Sequence, residues 1–340
     1  MAMSLSPNSP RDTNAAASSR RWRDLALLFV LFLLVAAGLG ALASATGWEE
    51  TKAALGRVSA GELAVLLALS LVNYLGRGLR WHLYSRKLGL DTTLGQSIRH
   101  FLGGFAMSVT PGRVGELVRM RWIRRETGWA FERTAPLAIV DRAADLSAMA
   151  LLLAAALVLS ATGVKGGVPV ALAALLVAFV ATRPALLRSV GDAVYRVSGR
   201  RMPRLFARVR RAARSLEVFS SPSILLAGGT LGVLGWFAEG YAFHLLLSWM
   251  GAARGLWMAV AIFIFAALAG GLTGAPGGLG GAEAAMVALL AVQGVPLEIA
   301  VPATLIIRVT TLWFAIAIGI AVFPAAERYS KKAENALERH

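Results

Sequence analysis

Long stretches without a charged residue constrain this chain more than any other feature of its sequence. Leu25 to Thr46 is a run of 22 uncharged, mostly apolar residues. A helix needs about 20 such residues to cross the hydrocarbon of a bilayer. Comparable stretches recur along the chain, in which 57% of residues are hydrophobic and 16% are charged. This balance excludes a soluble globular domain and a disordered chain, and it predicts an all-α polytopic membrane protein.

About six of these stretches are predicted to be spanning helices. For the first, a cleaved signal peptide is the alternative, because Ala43-Ser44-Ala45 resembles a cleavage site. The length of the apolar run and the membrane segments that follow favour an uncleaved helix. Residues 1–24, rich in Ser, Ala, Pro and Asn, are predicted to be a disordered tail, and 325–340 a second tail. The predicted spans are Leu25–Thr46, Glu62–Tyr84, Thr134–Leu159, Gly166–Thr182, Ser223–Met250 and Pro302–Phe323.

Two further apolar regions end at the only two Pro-Gly dipeptides in the chain, and each is followed by another helical stretch. Proline removes a backbone donor, and non-helical backbone is tolerated at membrane depth only inside protein or beside water. We therefore expect two re-entrant helical hairpins with Pro-Gly tips, and two kinked spanning helices are the alternative. The first hairpin comprises Ile98–Thr110, the tip Pro111-Gly112 and Val114–Arg125, and the second comprises Leu256–Ala275, the tip Pro276-Gly277 and Gly281–Gln293.

The formal net charge of +16 is distributed unevenly along this topology. In a soluble protein it would suggest nucleic acid, but between membrane segments it indicates anionic headgroups as the partner. The Arg77–Lys87 end of the second span and the segment Arg183–Arg214, with ten arginines and one acid, fall on the side of both termini. The positive-inside rule makes that side cytoplasmic. Spaced apolar residues in 183–214 predict an amphipathic helix on the inner surface, with a solvated basic loop as the alternative.

An internal repeat links the two Pro-Gly regions. His82 and Gly89 before the first tip correspond to His244 and Gly251 before the second. Arg142 follows its proline by 31 residues and Arg308 follows its own by 32. The two units cover about 62–160 and 223–323, are linked by 161–222, and would begin on opposite sides of the membrane. Inverted repeats whose broken helices meet near the midplane are typical of transporters.

Several charges fall inside predicted membrane helices, where a charge costs roughly 2.5–3.5 kcal/mol unless it is paired or lines a polar cavity. Arg142 and Arg308 need counter-charges, and Glu116, Glu283 and Asp141 are the candidates. We expect these pairs to exchange a partner for a lipid phosphate, because an arginine fork grips phosphate bidentately. Permanent ion pairs are the alternative, above all for Asp145 and Glu239. The predicted headgroup-binding residues are Arg113, Glu116, Asp141, Arg142, Glu283 and Arg308, with Asp145 and Glu239 secondary.

The sequence offers little for catalysis. It has no cysteine and only four widely spaced histidines, so we expect no metal site and no cofactor. A Walker motif is absent, which argues against ATP hydrolysis by this chain. No catalytic residue is predicted.

The run from Pro111 to Arg119, followed by Asp141-Arg142-Ala143-Ala144-Asp145-Leu146, resembles the transmembrane domain of lysylphosphatidylglycerol synthase/flippases. The run from Pro276 to Glu283, followed by Arg308 and Leu312-Trp313, resembles it too. The resemblance covers about 25–325 and implies movement of a phospholipid headgroup, aminoacylated phosphatidylglycerol in the fused members, between leaflets. About 16 residues follow Pro324, so the soluble aminoacyl-transferase domain of the fused members is not in this sequence and no enzyme activity is expected.

The leading hypothesis is a flippase or scramblase of the bacterial inner membrane, with both termini cytoplasmic and a headgroup cavity between the two hairpins. A translocase for a polyprenyl-phosphate or glycolipid carrier is the closest alternative, since arginines at the midplane would serve any phosphate. A membrane enzyme that modifies a lipid headgroup and a non-transporting partner of a separate lipid-modifying enzyme are further alternatives. Membrane phospholipids are the expected partners, and a homodimer stays open.

Overall fold

A computed structural model describes residues 56–108, 114–160, 167–197 and 216–339, together with residues 49, 53, 199 and 214. Within these residues every regular element is a helix and no β-strand occurs. The predicted tail 1–24, the predicted first span 25–46 and the first tip, with Pro111, Gly112 and Arg113, lie outside the described residues.

Eleven helices can be labelled in the described residues. Short 3₁₀ turns at Phe105–Met107, Leu216–Phe219 and Pro276–Gly278 lie between some of them, and a π-helical turn at Val309–Trp313 joins the last two without a break. In chain order they are α1 (Ala60–Lys87), α2 (Leu94–Gly104), α3 (Val114–Thr127), α4 (Phe131–Leu159), α5 (Gly167–Thr182), α6 (Pro184–Val197), α7 (Pro222–Trp249), α8 (Leu256–Leu272), α9 (Gly281–Val292), α10 (Leu297–Arg308) and α11 (Phe314–Leu337).

Four helices are long and apolar enough to cross a bilayer: α1, α4, α7 and the continuous α10–α11. They match four of the predicted spans, so the protein is an integral multi-pass membrane protein. The predicted fourth span is the shorter helix α5, of 16 residues. The last helix continues to Leu337, well past the predicted end at Phe323, so most of the segment 325–340 is helical.

The basic segment 183–214 begins with α6 (Pro184–Val197), which directly follows α5. Leu186, Val190 and Val194 recur every four residues along it and are exposed. This is the predicted amphipathic helix over its first half. Most of residues 198–215 lie outside the described residues.

The ends of α1 and α7, which the predicted repeat aligns, have the same backbone geometry. Gly89 and Gly251 have φ of 94° and 77°, a left-handed conformation that glycine adopts without strain. Leu90 N–H donates to Ser85 O, and 162 residues later Ala252 N–H donates to Leu247 O. Both helices therefore end in the same Schellman motif, in the register set by His82 and His244.

The first helices of the two units cross each other in antiparallel directions. The Tyr84 side chain lies over Gly228, Arg80 over Gly232, and Asn73 over Gly235. Asn73 and Gly235 are themselves 162 positions apart, so they are equivalent residues of the two units. An inverted repeat would require such an antiparallel crossing and would place its pseudo-twofold axis at this contact.

The closing helix of each unit packs against a helix of the other unit. In unit one α4 packs against α8 of unit two, and in unit two α11 packs against α2 of unit one. The 3₁₀ turn after α2 is also close to α11, because a Cβ on Gly319 would collide with the backbone of Ala106. Each unit therefore packs against the other through its closing helix.

The helices before and after the dipeptide approach each other closely in both Pro-Gly regions. In the first, a Cβ on Gly115 would lie 2.5 Å from the carbonyl oxygen of Gly104. In the second, the glycines at the equivalent positions, 166 residues further along, are Gly270 and Gly281. A Cβ on Gly281 would lie 3.4 Å from the Cα of Gly270. The open ends are also tied: Arg99 donates to Glu126 at 3.0 Å, and Arg254 donates to the Gln293 carbonyl at 2.9 Å.

Candidate functional site

A buried ion-pair cluster joins α1 to α4, and comprises Arg77, Arg80, Asp141 and Asp145. Arg80 Nη2 donates to Asp141 Oδ1 and to Asp145 Oδ1, each at 2.6 Å, and its Nε donates to Asp141 at 3.0 Å. Arg77 Nη2 donates to Asp145 Oδ2 at 2.5 Å. Asp141 and Asp145 are four residues apart and share one face of α4, which is why both reach the same helix.

The cluster uses two arginines that the sequence reasoning counted only as part of a positive helix end. The Arg80 side chain is 0% exposed and Arg77 is mostly buried. Helix α1 continues for seven residues beyond Arg80, so both arginines lie within the helix and can reach α4. The spacing of Asp141 and Asp145 was the signal that could have identified their partners.

The first tip pair is Arg142 and Glu116, beside the first hairpin tip. Arg142 Nε donates to Glu116 Oε1 at 2.5 Å, joining α4 to the start of α3. The Arg142 side chain is 43% exposed and that of Glu116 is 21% exposed. Glu116 is one of the three acids that the sequence offered as partners for Arg142, and the pair is only partly enclosed.

The second tip pair is Arg308 and Glu283, at the second hairpin tip. Arg308 Nε donates to Glu283 Oε1 at 2.6 Å, and Nη2 donates to the Gly277 carbonyl at 2.8 Å. Gly277 and Gly278 follow Pro276 with φ of 64° and 68°, left-handed values that a side chain would strain. Glu283 is also one of the three candidate partners offered by the sequence, and this pair is more enclosed, at 15% and 5% exposure.

Arg119 is a buried cation that the sequence reasoning did not single out. It lies on α3 with its guanidinium over the Phe101 ring at 4.0 Å and near those of Trp81 and Phe105. Among the described residues no carboxylate oxygen comes within 4 Å of it, so the aromatic faces are its contacts. Its side chain crosses Gly104, where a Cβ would collide with it.

Two hydrogen bonds cross between the units at equivalent positions. The Tyr74 hydroxyl of α1 donates to the Thr311 carbonyl in the π-helical turn. Trp236 Nε1 of α7 donates to Asp145 Oδ1 of α4 at 3.3 Å. Tyr74 and Trp236 are 162 positions apart, and Asp145 and Thr311 are 166 apart, as Arg142 and Arg308 are. Each unit therefore anchors its first helix to the closing helix of the other.

Glu239 of α7 lies among these groups without joining either tip pair. It is buried, and among the described residues no nitrogen of Lys, Arg or His lies within 4 Å of its carboxylate. Its electrostatic neighbours are Arg77, Asp145 and Arg308, and the side chain of Asn73 reaches it with a hydrogen bond.

The structure thus brings most of the predicted residues into two places. Arg142, Glu116, Asp141 and Asp145 lie together around α4, and Arg308, Glu283 and the tip residues Pro276 and Gly277 lie together at the second hairpin. In the described part of the chain no three His, Asp or Glu side chains are grouped so as to hold a metal ion. The arrangement can bind anions through arginine and exchange ion-pair partners.

Comparison with known proteins matches nearly the same residues as the resemblance found in the sequence. The family described as "Lysylphosphatidylglycerol synthase TM region" matches residues 25–319. A "UPF0104 membrane protein" of Methanothermobacter thermautotrophicus is 24% identical over 318 residues, which is 87% of this chain and 94% of that protein. A second match of the same name and organism is 32% identical over 110 residues, 32% of each chain. The chain therefore belongs to the lysylphosphatidylglycerol synthase transmembrane-region family.

Proposed function

We propose that this protein moves a phospholipid between the leaflets of the membrane, as a flippase or scramblase, through a polar cavity between two re-entrant hairpins. The observation that carries the proposal is the first tip pair. Arg142 and Glu116 lie beside a broken helix, in a helical bundle, with the arginine 43% exposed. A permanent structural ion pair at membrane depth would be expected to be enclosed, as the second pair is.

The headgroup step follows from the chemistry of the arginine. The guanidinium keeps its charge and offers parallel N–H donors that match phosphate oxygens. Arg142 now holds one oxygen of Glu116, so an incoming lipid phosphate can take over those donors without leaving the arginine unpaired. Arg113, at the first tip, would add a second cation, and the N-terminal N–H groups of α3 would support the phosphate.

The second tip pair would serve the same lipid after the two units rearrange. Arg308 is held by Glu283 and by a carbonyl of the tip itself, so its release requires the tip to move. Unequal arginine exposure at the two tips fits alternating access, in which one half is open while the other is closed. Asp141 and Asp145 would hold α1 against α4 during the change.

The remaining aspects of the proposal concern location and partners. The protein would lie in the cytoplasmic (inner) membrane with both termini inside, and it would carry out no covalent chemistry itself. A homodimer and a separate lipid-modifying enzyme are compatible protein partners, and nucleic acid is not expected. Cysteines introduced at Arg113 and Gly278, in a chain that has none, should label from opposite faces of the membrane.

Reconstitution into liposomes tests the function directly. We expect vesicles with the protein to expose fluorescent phosphatidylglycerol, or its lysyl derivative, to an outside quencher faster than empty vesicles do. Arg142→Ala should abolish the difference, and Arg142→Lys should restore part of it. Arg86→Ala is the matched control, because Arg86 forms an exposed ion pair with Asp91 away from the tips.

The result can contradict the proposal in two ways. Wild-type vesicles that move lipid no faster than empty ones would overturn transport of these lipids. Activity on a polyprenyl phosphate alone would assign the site to a lipid carrier instead. If Arg142→Ala moves lipid at the wild-type rate, the first tip pair is not the headgroup site.

A further inference from the structure

Glu239 is a buried acid that has no role in the proposed lipid site. It lies on α7 beside the axis that relates the two units, about 5% exposed. In the described part of the chain it forms no ion pair within 4 Å, unlike the acids of the cluster and of the tips. A carboxylate buried among membrane helices without a basic partner is unfavourable unless it carries a proton.

The surroundings of Glu239 contain an acceptor that lacks a donor. Asn73 is almost fully buried and its Oδ1 has no hydrogen-bond partner, although its side chain reaches the Glu239 carboxyl. Oδ1 lies against Gly235, one turn before Glu239 on the same face of α7. An ionised Glu239 can only accept hydrogen bonds, whereas a protonated one can donate to this oxygen. The Asn73 amide N–H can donate to Glu239 in either protonation state, and only the protonated state also offers a proton to an acceptor such as Oδ1.

Arg77 connects Glu239 to the ion-pair cluster. The two residues are 162 positions apart, so they occupy equivalent places in the two antiparallel helices. Arg77 donates Nη2 to Asp145 at 2.5 Å, while its buried Nε has no partner. Among the cations, Arg77 also has the largest electrostatic interaction with Glu239. An ionised Glu239 would therefore compete with Asp145 for the same guanidinium.

Helices α1, α4, α8 and α10 pack against α7, and α8 carries no titratable side chain. The titratable and charged groups that face Glu239 from the others are Tyr74 and Arg77 of α1, Asp145 of α4 and Arg308 of α10. Glu239 thus interacts electrostatically with both the cluster and the second tip pair.

We propose that Glu239, buried beside Asn73, is a proton-binding site that couples lipid movement to a proton gradient. This rests on the proposed function. With the proton on a Glu239 oxygen, Arg77 stays on Asp145 and α1 stays tied to α4. When the proton leaves to water on the other side, the carboxylate draws Arg77 away, and the contact between the units changes.

The proton itself can be detected without transport. Infrared spectra of the purified full-length protein in lipid should contain the C=O stretch of a protonated carboxyl at neutral pH, shifted in D2O. We expect Glu239→Gln to remove this band and Asn73→Ala to shift it, because its hydrogen bond is lost. Glu283→Gln is the control, since the Glu283 carboxylate is paired with Arg308 and should not contribute. A band that survives in Glu239→Gln, or no band at all, would overturn the site.

Coupling is tested in liposomes with a pH difference across the membrane. One pH unit corresponds to 1.36 kcal/mol per proton, so one-to-one coupling would shift the ratio of labelled lipid between leaflets up to about tenfold. Glu239→Gln should still move lipid but equilibrate it to equal leaflets. A wild-type ratio that ignores the pH difference, or that responds to sodium instead, would contradict proton coupling. No lipid movement at all would contradict the proposed function, and the infrared band would then decide separately whether Glu239 binds a proton.

Discussion

The two tip pairs have the same chemistry and different environments. Arg142 and Glu116 are 43% and 21% exposed, whereas Arg308 and Glu283 are 15% and 5% exposed. The second arginine also binds the Gly277 carbonyl, and Oε2 of Glu283 is buried without a partner. One repeat therefore presents its arginine to the surroundings while the other encloses it.

This difference shows that the repeat preserves the positions of its charges but not their energetic roles. An exposed pair gains little from its attraction, because water or headgroups can replace either partner. A buried pair has already lost its hydration, so removing one partner leaves an uncompensated charge. The first pair is suited to exchange, and the second to hold the tip in one conformation.

The largest difference should appear when each arginine is removed. We expect Arg308→Ala to destabilise the protein by about 3–5 kcal/mol, because it leaves Glu283 buried and unpaired. Thermal unfolding of the purified variant in detergent would measure this as a large fall in Tm.

The double variant Arg308→Ala with Glu283→Gln provides the control. It removes both charges and should recover much of the lost stability. If the single variant melts like the wild type, the second pair does not hold the tip, and the comparison between the pairs fails.

The glycines at which the two arms of each hairpin meet should differ in how much an alanine substitution lowers the Tm. A Cβ on Gly115 would lie 2.5 Å from a backbone oxygen of Gly104, which cannot rotate away. At Gly281 the colliding atom is the methyl group of Thr273, which can turn about χ1. We expect Gly115→Ala to cost about 1–3 kcal/mol and Gly281→Ala less, although alanine favours the helix at both positions. Equal Tm values for the two variants would contradict the close approach at Gly104.

The sequence alone was sufficient to predict the features that are rare in apolar helices. Arg142 and Arg308 were identified because a lone arginine there needs a partner, and the few acids near them left little choice. Gly89 and Gly251 were aligned from the repeat, and both end a helix in the same way. Four spans followed from hydropathy alone.

The contacts that the sequence did not predict depend on which helices are neighbours. Arg80 meets Asp141 only because α1 lies against α4, and positive charge near a helix end has a simpler explanation in the positive-inside rule. The bond from Trp236 to Asp145 joins residues 91 positions apart. Such pairs are set by packing across the bundle, and no local pattern in the sequence carries them.

The hydrogen bonds that cross the units should give a smaller effect. Tyr74→Phe removes the donor to the π-helical turn and keeps the ring contacts with Phe105 and Phe314. We expect a loss of about 0.5–1.5 kcal/mol, the usual contribution of one hydrogen bond. Trp236→Phe should cost no more than this, because Arg77 and Arg80 still hold Asp145. A Trp236→Phe variant that is far less stable than Tyr74→Phe would show that the two crossings are not equivalent.

Arg142→Ala should have the smallest effect on stability and thereby decides the comparison. Its ion pair is exposed, so we expect a change below about 1 kcal/mol, decreasing further at high salt because exposed pairs are screened. Glu116→Gln should behave alike, since each variant leaves the other partner in contact with solvent or headgroups. A Tm loss as large as that of Arg308→Ala would show that the first pair is structural. A Tm near that of the wild type, combined with loss of lipid movement, would separate binding from folding at this arginine, because a pair that contributes little to the fold can be broken in every transport cycle.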